Sequence, residues 1–128
     1  MNENVDLEIF KIHAGFCSAF SHERRLQILW ALEHNEYSVG ELAKRIGISP
    51  TSVSQHLRVM KEKGALIERK EGKQVFYRMA NSKIIDGYKL IREGIIEKLT
   101  QDHTEIAEKL RTGSITREQA KIILSVQY

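Results

Sequence analysis

The order of helix and turn signals in residues 38–81 strongly limits what this chain can fold into. Apolar residues at helical spacing begin at Val39 and stop at Gly47, and a second run with the same period follows Ser49 and Pro50. Ser49 can accept hydrogen bonds from the free N–H groups of a first helical turn. Pro50 suits the first helical position because it has no N–H to lose. The stretch therefore predicts two short helices joined by a tight turn.

Two strand-like runs follow the second helix. Gly64 is suited to end that helix because glycine tolerates a positive φ. The runs 65–69 and 73–78 then flank Glu71 and Gly72, and a glycine in this place favours a tight hairpin. We therefore expect a mainly α fold with a small β-hairpin, a winged helix-turn-helix. Such a unit places its second helix in the major groove of DNA and its hairpin over the phosphates.

The polar face predicted for the second helix carries groups that can contact DNA. Val53, Leu57 and Met60 recur at helical spacing and form the buried stripe, so the polar residues lie opposite. Their hydroxyl, amide and guanidinium groups can hydrogen-bond to base edges or to phosphate. The residues predicted to bind DNA from this helix are Thr51, Ser52, Ser54, Gln55, His56 and Arg58. An ordinary solvated helix could carry the same residues, but the attached turn and hairpin favour the DNA-binding interpretation.

Basic residues are concentrated in the same region. Residues 38–81 contain nine Lys/Arg and four Asp/Glu, a charge of +5, whereas the rest of the chain has eleven against thirteen, or −2. Arg69, Lys70 and Lys73 are expected at the hairpin tip, where they would meet phosphates. The alternative for these three is a solvated hairpin. Phe76 is assigned to packing together with its neighbour Tyr77, because strand alternation turns at least one of them inward.

Four segments of the chain resemble the ArsR/SmtB family of bacterial and archaeal repressors. They read FSHERRLQIL, GELAKRIGIS, SVSQHLRVMKEKGALI and EGKQVFYRM, and the similarity covers roughly residues 10–99. The resemblance implies a homodimeric winged-helix repressor that leaves its operator, a double-stranded DNA site, when an effector binds. It also implies that helix 51–63 reads the major groove and that helices 7–20 and 82–99 form the dimer interface.

The segments that flank the reading unit agree with a dimer. Leu7 and Phe10 fall near one face of an N-terminal helix, and Ile91 and Ile95 belong to a longer helix after the hairpin. This apolar surface exceeds what a small domain easily buries alone. Twofold symmetry would match two DNA half-sites about 34 Å apart. The sequence therefore predicts homodimerisation through helices outside the reading unit.

We expect one winged-helix domain for DNA binding and dimerisation over residues 1–101. Residues 102–128 are expected to form a C-terminal helical extension packed on the same domain. The extension has a helical pattern over 104–110, and Thr116 with Gln119 forms a capping box for a last helix.

The metal sites known in the family are absent or broken in this sequence. Members that detect arsenic, cadmium or lead often carry a Cys-x-Cys pair, and the equivalent positions here are Ser38 and Gly40. Members that detect zinc use an Asp-x-His and a later His-x-x-Glu on the dimer helix. This chain has Tyr88 in place of the first histidine, and Leu99 and Asp102 stand in place of the later His and Glu. The effector is therefore left open between a small molecule, a metal and none.

One further set of candidate metal ligands lies in the N-terminal helix. His13 and Cys17 are spaced i, i+4 and share a helical face, so they could hold a transition-metal ion that His103 and Asp102 complete across a dimer. The alternative is that Cys17 is a small buried apolar residue and His13 is hydrogen-bonded nearby. Ser21 is expected to cap the next helix. His22 and His34 flank that helix, and no role is assigned to them.

Other function classes find little support in the residues. We find no Gly-rich phosphate loop, no His-Glu-x-x-His and no nucleophile with an obvious base, so no enzyme is predicted. A lone Cys, an acidic N-terminus unlike a secretory signal and the lack of a long apolar run predict a cytoplasmic protein with no membrane partner. The alternatives are a winged helix that binds protein, and a regulator with no metal sensing. Apolar residues at Thr51, Gln55 and Arg58 would have favoured protein binding.

Overall fold

The computed structural model describes the backbone of residues 3–127 and the side chains of residues 6–126. In chain order the elements are α1 (Glu3–Ser18), α2 (Glu23–Ala31), β1 (Tyr37–Ser38), α3 (Val39–Ile46), α4 (Pro50–Glu62), β2 (Leu66–Glu71), β3 (Gln74–Met79), α5 (Ser82–Arg111) and α6 (Arg117–Gln127). The predicted fold, mainly helical with a small hairpin after a helix-turn-helix, is confirmed. Within the described ranges, no helix is both long enough and apolar enough to span a bilayer.

The chain forms two compact units, with the boundary between Ile85 and Asp86. The core of the first unit consists of apolar side chains from the helices and the hairpin, each at most 8% exposed. They include Ala19, Phe20, Ile28, Leu29, Leu32, Leu42, Val53, Leu57, Met60, Leu66, Met79 and Ile85. Burying one such large side chain contributes about 1.5–3 kcal/mol to stability, so this core fixes α4 and the hairpin in place.

The predicted boundaries of α3 and α4 are confirmed. The Ser49 hydroxyl accepts a hydrogen bond from the N–H of Ser52 at 3.1 Å, and Pro50 occupies the first turn. Gly47 ends α3 with φ 79°, and Gly64 follows α4 with φ 80°, a left-handed conformation that is strained for other residues. The turn between the two helices is therefore fixed by local chemistry.

The cap of α2 differs from the prediction, which placed it at Ser21. The ring nitrogen Nδ1 of His22 accepts a hydrogen bond from the Arg24 N–H at 3.0 Å, so His22 is the N-cap. The Ser21 hydroxyl instead donates to the Cys17 carbonyl at 3.4 Å, within the turn that ends α1. The helix begins one residue later than expected because the turn after α1 already uses the serine.

The sheet has the strand order β1-β3-β2 and is antiparallel throughout. In the hairpin, Glu71 pairs with Gln74 across a two-residue turn in which Gly72 has φ 59°. This glycine position suits a tight turn that continues the twist of the two strands. Tyr37 pairs with Tyr77 and adds β1 as a third strand, which the sequence analysis did not predict. Two residues are too few to show the alternation that signals a strand.

The second unit contains most of α5 together with α6. The stretches expected to be helical, 82–99 and 104–110, are both helical and belong to one helix, because α5 is continuous from Ser82 to Arg111. Residues 95–111 contain no Gly or Pro, and Lys98 and Asp102 form an i,i+4 ion pair at 3.2 Å between the two stretches. No interruption of the helix marks residues 101 and 102, and the domain boundary placed there stays a prediction.

The start of α6 follows the predicted capping box. The Thr116 N–H donates to Oε1 of Gln119 at 2.8 Å, and the Gln119 N–H donates to the Thr116 hydroxyl at 3.2 Å. Ile106 of α5 and Ala120 of α6 are buried. Residues 102–127 thus comprise the end of α5, a turn and α6.

Candidate nucleic-acid interface

Helix α4 presents a polar face to solvent. Thr51, Ser54, Gln55 and Arg58 are exposed and follow one another at the i, i+3, i+4, i+7 spacing that places side chains on one side of a helix. The opposite stripe of α4 is buried. Because rotating the helix would expose that stripe, the polar face is held outward by the core. Four of the predicted DNA-binding residues therefore share one exposed surface.

The two other predicted residues of α4 lie at the edge of that surface. Ser52 is half-buried, and its hydroxyl accepts a hydrogen bond from the Ser49 hydroxyl at 3.0 Å. Its hydrogen-bonding capacity is thus partly used in capping the helix. His56 is also half-buried, and its ring contacts that of His22, the N-cap of α2. Both roles in DNA binding stay predictions.

The polar side chains at the centre of the face are available to a ligand. Within the described part of the chain, the Gln55 amide makes no hydrogen bond, so its donor and acceptor can act together on one base. Nε of Arg58 lies 3.9 Å from Oε1 of Glu62, and the two side chains are 77% and 67% exposed. An exposed pair of this length contributes little to stability. The Arg58 guanidinium can therefore exchange Glu62 for phosphate or a base edge.

The hairpin, which we call the wing, carries its charges in two different ways. Lys70 and Lys73 are exposed, and Lys73 lies in the turn itself. Arg69 is bound within the protein, because its Nε donates to Glu36 at 3.0 Å and its NH1 donates to Glu71 at 2.8 Å.

The third nitrogen group of Arg69, NH2, also donates to Glu36, and the guanidinium lies 4.9 Å from the centre of the Phe76 ring. The hydrogen bond with Glu36 raises the pKa of Arg69, and the same bond lowers the pKa of Glu36. The predicted contact of Arg69 with DNA stays a prediction, and the structure directs all of its nitrogen groups toward protein partners.

A second ion pair ties the wing to α4. Lys61 Nζ lies 2.7 Å from Oε1 of Glu68, and this hydrogen bond is the main cause of the raised pKa of Lys61 and the lowered pKa of Glu68. Tyr77, on the neighbouring strand, also lowers the pKa of Glu68. Together, the Glu36–Arg69 and Lys61–Glu68 pairs join the wing to the loop before β1 and to the end of α4.

Glu36→Gln separates two roles for Arg69. If Arg69 acts as a wing clamp, losing the charged partner loosens the wing and weakens DNA binding. If Arg69 is a phosphate contact, freeing it strengthens DNA binding. We expect the clamp result, a loss of about 0.5–1.5 kcal/mol of binding free energy, the usual scale for ordering a side chain or loop at an interface. Anisotropy titrations of duplex DNA give the sign, and hydrogen exchange of the wing amides should become faster in the same variant.

No role is predicted for His22 from the sequence, but the structure brings it into contact with α4. The imidazole rings of His22 and His56 have centroids 4.6 Å apart with planes inclined by 47°. Arg24 and Arg25 belong to the same first turn of α2, and both are half-buried. The basic residues after Ser21 are the one signal of this contact in the sequence. Nothing local links them to α4, which begins more than twenty residues later.

The candidate metal ligands are not grouped in the part of the chain that the structure describes. His13 is exposed and Cys17 half-buried on α1, whereas His103 belongs to the second unit. Among residues 6–126, no three His, Cys, Asp or Glu side chains come close enough to hold a metal ion. A structural zinc site needs four protein ligands, so two spaced ligands on α1 do not make one. A site that a second copy completes stays a prediction.

Known sequences are similar to the part of the chain that contains the helix-turn-helix. The profile of the family described as bacterial regulatory protein, arsR family, matches residues 22–67, which include α2, α3 and α4. The transcriptional activator HlyU of Vibrio cholerae is 44% identical over 66 residues, covering 52% of this chain and 61% of that protein. The biofilm growth-associated repressor of Xylella fastidiosa is 40% identical over 70 residues, 55% of this chain and 61% of that protein. The chain thus spans less than two thirds of the length of these two relatives.

Solved structures share the architecture over a longer stretch. Reduced HlyU from Vibrio cholerae superimposes with a TM-score of 0.62 at 35% identity, over 67% of this chain and 90% of that chain. The homodimeric winged helix-turn-helix DNA-binding domain Mb0332 from Mycobacterium bovis gives a TM-score of 0.68 at 27% identity, over 76% of this chain and 90% of that chain. The likeness therefore extends beyond the helices that the family profile matches.

Proposed function

The chain belongs to the ArsR family of bacterial regulatory proteins, and on that premise we propose that it regulates transcription by binding specific DNA sequences. The observation that carries the proposal is the polar face of α4, held outward by a buried stripe and flanked by a basic wing. Gln and Arg are the side chains best suited to bidentate contacts with base edges in the major groove. A protein-binding surface would instead present apolar anchors, and Thr51, Gln55 and Arg58 are polar.

We assign the two parts of the surface different tasks. Thr51, Ser54, Gln55 and Arg58 enter the major groove, and Ser52 and His56 contact its edge. Lys70 and Lys73 lie over phosphates, which add affinity without sequence preference. Arg69 contributes by holding the wing in place.

We further propose that the protein binds DNA as a homodimer. Large apolar side chains are exposed on α1 and, separately, on α5, and they include Leu7, Ile9, Phe10, Ile12, Leu90, Ile91, Ile95 and Ile96. Exposed apolar surface of this extent marks an interaction site. A second copy of the chain is the partner that twofold operators require, and the similar domain Mb0332 is homodimeric.

Repression is the regulatory effect that needs the least additional machinery. A dimer bound over a promoter excludes polymerase by occupancy alone, whereas activation needs a further surface for recruitment. We propose that the protein acts in the cytoplasm as a repressor that an effector releases. A reporter gene with the selected DNA site placed across its promoter would show repression directly.

The function is tested by selection of DNA from a random duplex library, followed by titration with the enriched duplex. We expect a defined, twofold-related sequence, with affinity that falls steeply as salt rises because condensed counterions are released on binding. Enrichment of no sequence, together with affinity that does not depend on salt, would contradict both sequence-specific binding and DNA binding itself.

Lys73→Ala should weaken binding to every DNA sequence by a similar factor. Lys73 lies in the wing turn and is exposed, so its expected partner is a phosphate. Loss of one phosphate contact should reduce the slope of log affinity against log salt by about 1 per protomer. Lys121→Ala, at an exposed lysine of α6, is the matched control and should leave the slope unchanged. A change in base preference on Lys73→Ala would show that the wing reads sequence.

A further inference from the structure

The first turn of α2 and one edge of α4 form a cluster of basic groups outside the reading face. His22 and His56 are in ring contact, with centroids 4.6 Å apart. Arg24 and Arg25 follow His22 in the same turn, and the Arg24 guanidinium donates to the Gln27 amide at 3.0 Å. The cluster thus combines two imidazoles and two guanidiniums from two elements of the first unit.

The cluster lacks a protein anion to balance its charge. No carboxylate forms an ion pair with Arg24 or Arg25 within residues 6–126, and Glu23, the acid of the same turn, is exposed. The Nε atom of Arg25 is buried and has no hydrogen-bond partner in the described chain. A buried donor that makes no hydrogen bond costs about 1–3 kcal/mol of stability, and more if the group is charged. An arriving anion would reduce the mutual repulsion of the cations.

The environment of His56 supports the same conclusion. Burial is the largest cause that lowers the pKa of His56, and the nearby His22, Arg25 and Arg24 lower it further. The charged residues of the other elements that pack against α4 lie elsewhere: Arg45 of α3 is over the Tyr37 ring, and Glu68 of β2 is bonded to Lys61. On α3, Glu41 and Lys44 are exposed.

The two imidazoles have different hydrogen-bonding roles. Nδ1 of His22 accepts the N–H of Arg24, so that nitrogen carries no proton, and the ring can donate only through Nε2. His56 lies inside α4 and caps no helix, so its ring can bind an anion without the loss of a cap.

The position of the cluster identifies its anion. His56 follows Gln55 directly and lies at the border between the exposed face of α4 and its buried stripe. When the exposed face is in the major groove, the residues along its edge come next to the sugar-phosphate backbone. An anion at the N-terminus of α2 is also favoured by the helix dipole.

We propose that His22, Arg24, Arg25 and His56 form a second phosphate site, which binds a backbone phosphate of DNA beside the groove while His56 takes up a proton. The proposal rests on the proposed function. A free protein with a lowered His56 pKa keeps that ring neutral near pH 7, and a bound phosphate raises the same pKa because it stabilises the imidazolium. Protons are therefore taken up on binding, and affinity increases as pH falls.

The folding stability of the free protein depends on pH in the opposite direction to its affinity for DNA. A histidine whose folded pKa lies below its ordinary value of 6.5 stabilises the fold above pH 6.5, and that stability is lost as pH falls through the lowered pKa. Mild acid thus loosens the free protein and tightens the DNA complex, and DNA protects against acid unfolding.

The test is a titration of a mixed-sequence duplex of about 30 base pairs between pH 8 and pH 6, with calorimetry in buffers of different ionisation enthalpy. For the wild type we expect affinity to rise by up to about tenfold for each unit by which phosphate raises the His56 pKa. The calorimetry should show uptake of about one proton per protomer near pH 7. The double variant His22→Asn with His56→Gln should lose both effects. Asparagine is among the best N-cap residues, so α2 keeps its cap.

Two controls separate this site from general effects of pH and charge. His34→Gln removes an imidazole outside the cluster and should keep the wild-type pH profile. Arg24→Gln, measured at pH 8, should reduce the salt slope by about 1 per protomer without changing base preference.

The outcomes distinguish the phosphate site from the proposed function. If the double variant is folded and keeps the full pH dependence and proton uptake, the site is wrong, although DNA binding stands. If the folded wild type shows no salt-dependent binding to the duplex at any pH, the proposed function fails, and the phosphate site fails with it.

Discussion

Replacing both Ile91 and Ile95 with aspartate is expected to make the protein monomeric and to lower its affinity for a two-half-site DNA by about 10²–10⁴-fold. The two side chains are 55% and 51% exposed and lie one helical turn apart on α5. If they face the same residues of a second copy, four carboxylates would be buried against one another, which is strongly unfavourable. A monomer binds each half-site separately and loses the gain from linked binding.

The matched control is Glu93→Asp with Glu97→Asp. It introduces the same two residues at the same spacing on the same helix, at positions that are exposed and already acidic. This variant should stay dimeric and bind DNA like the wild type. Sedimentation or light scattering gives the oligomeric state, and anisotropy gives the affinity. A dimeric aspartate variant at Ile91 and Ile95 would show that α5 does not form the interface.

The glycines of α5 lead to the same interface by a different argument. Gly87 and Gly94 lie inside the helix, where each costs about 1 kcal/mol relative to alanine. A Cβ atom placed on either residue would meet no atom within 4 Å in the described chain. Packing inside the chain therefore gives no reason for the glycines. Close approach of a second helix is a reason, because only glycine leaves room for two backbones to come near each other.

The local signals in the sequence predicted the reading unit almost completely. Ser49 and Pro50 start α4, and Gly47 and Gly64 end helices, because each acts through its own backbone geometry or hydrogen bond. Gly72 likewise identifies the hairpin turn. Such features depend on only a few neighbouring residues, so a single sequence is sufficient to find them.

The parts that could not be predicted depend on contacts between distant residues. Glu36 and Arg69 are 33 positions apart, and neither carries a local sign of the other, so Arg69 was interpreted only as a free charge on the wing. His22 and His56 meet only because α2 and α4 pack together. Strand β1 exists because β3 offers an edge to which Tyr37 can pair. Tertiary packing determines these features, and they also decide which basic residues are free to meet DNA.

The structure thus divides the basic residues by their protein partners. Arg69 and Lys61 are held by carboxylates, whereas Lys73 and the Arg24–Arg25 pair have no carboxylate partner in the described chain. Charge counted along the sequence treats all of them alike. The phosphate contacts should come mainly from the second group, since a cation already paired must give up its partner before it can bind DNA.

Gln55→Ala is the second change for which we expect a large effect, and it acts on specificity. Gln55 is exposed at the centre of the polar face of α4. A Gln side-chain amide can accept a hydrogen bond from the N6 amino group of an adenine while it donates one to N7 of the same base. Its loss should remove about 1–3 kcal/mol of preference at one base pair of each half-site. Binding to unrelated duplexes should stay nearly unchanged, because the phosphate contacts remain.

The measurement is a comparison of the sequences selected by the wild type and by the variant, followed by titrations with single-base changes. Gln101→Ala, at an exposed glutamine of α5, is the control and should select the same sequences as the wild type. If Gln55→Ala keeps both the affinity and the preference at every position, then α4 does not read bases through this residue. An equal loss for all sequences would instead assign Gln55 to a phosphate. Loss of preference at one position in each half-site is the result that places α4 in the major groove with its exposed face toward the bases.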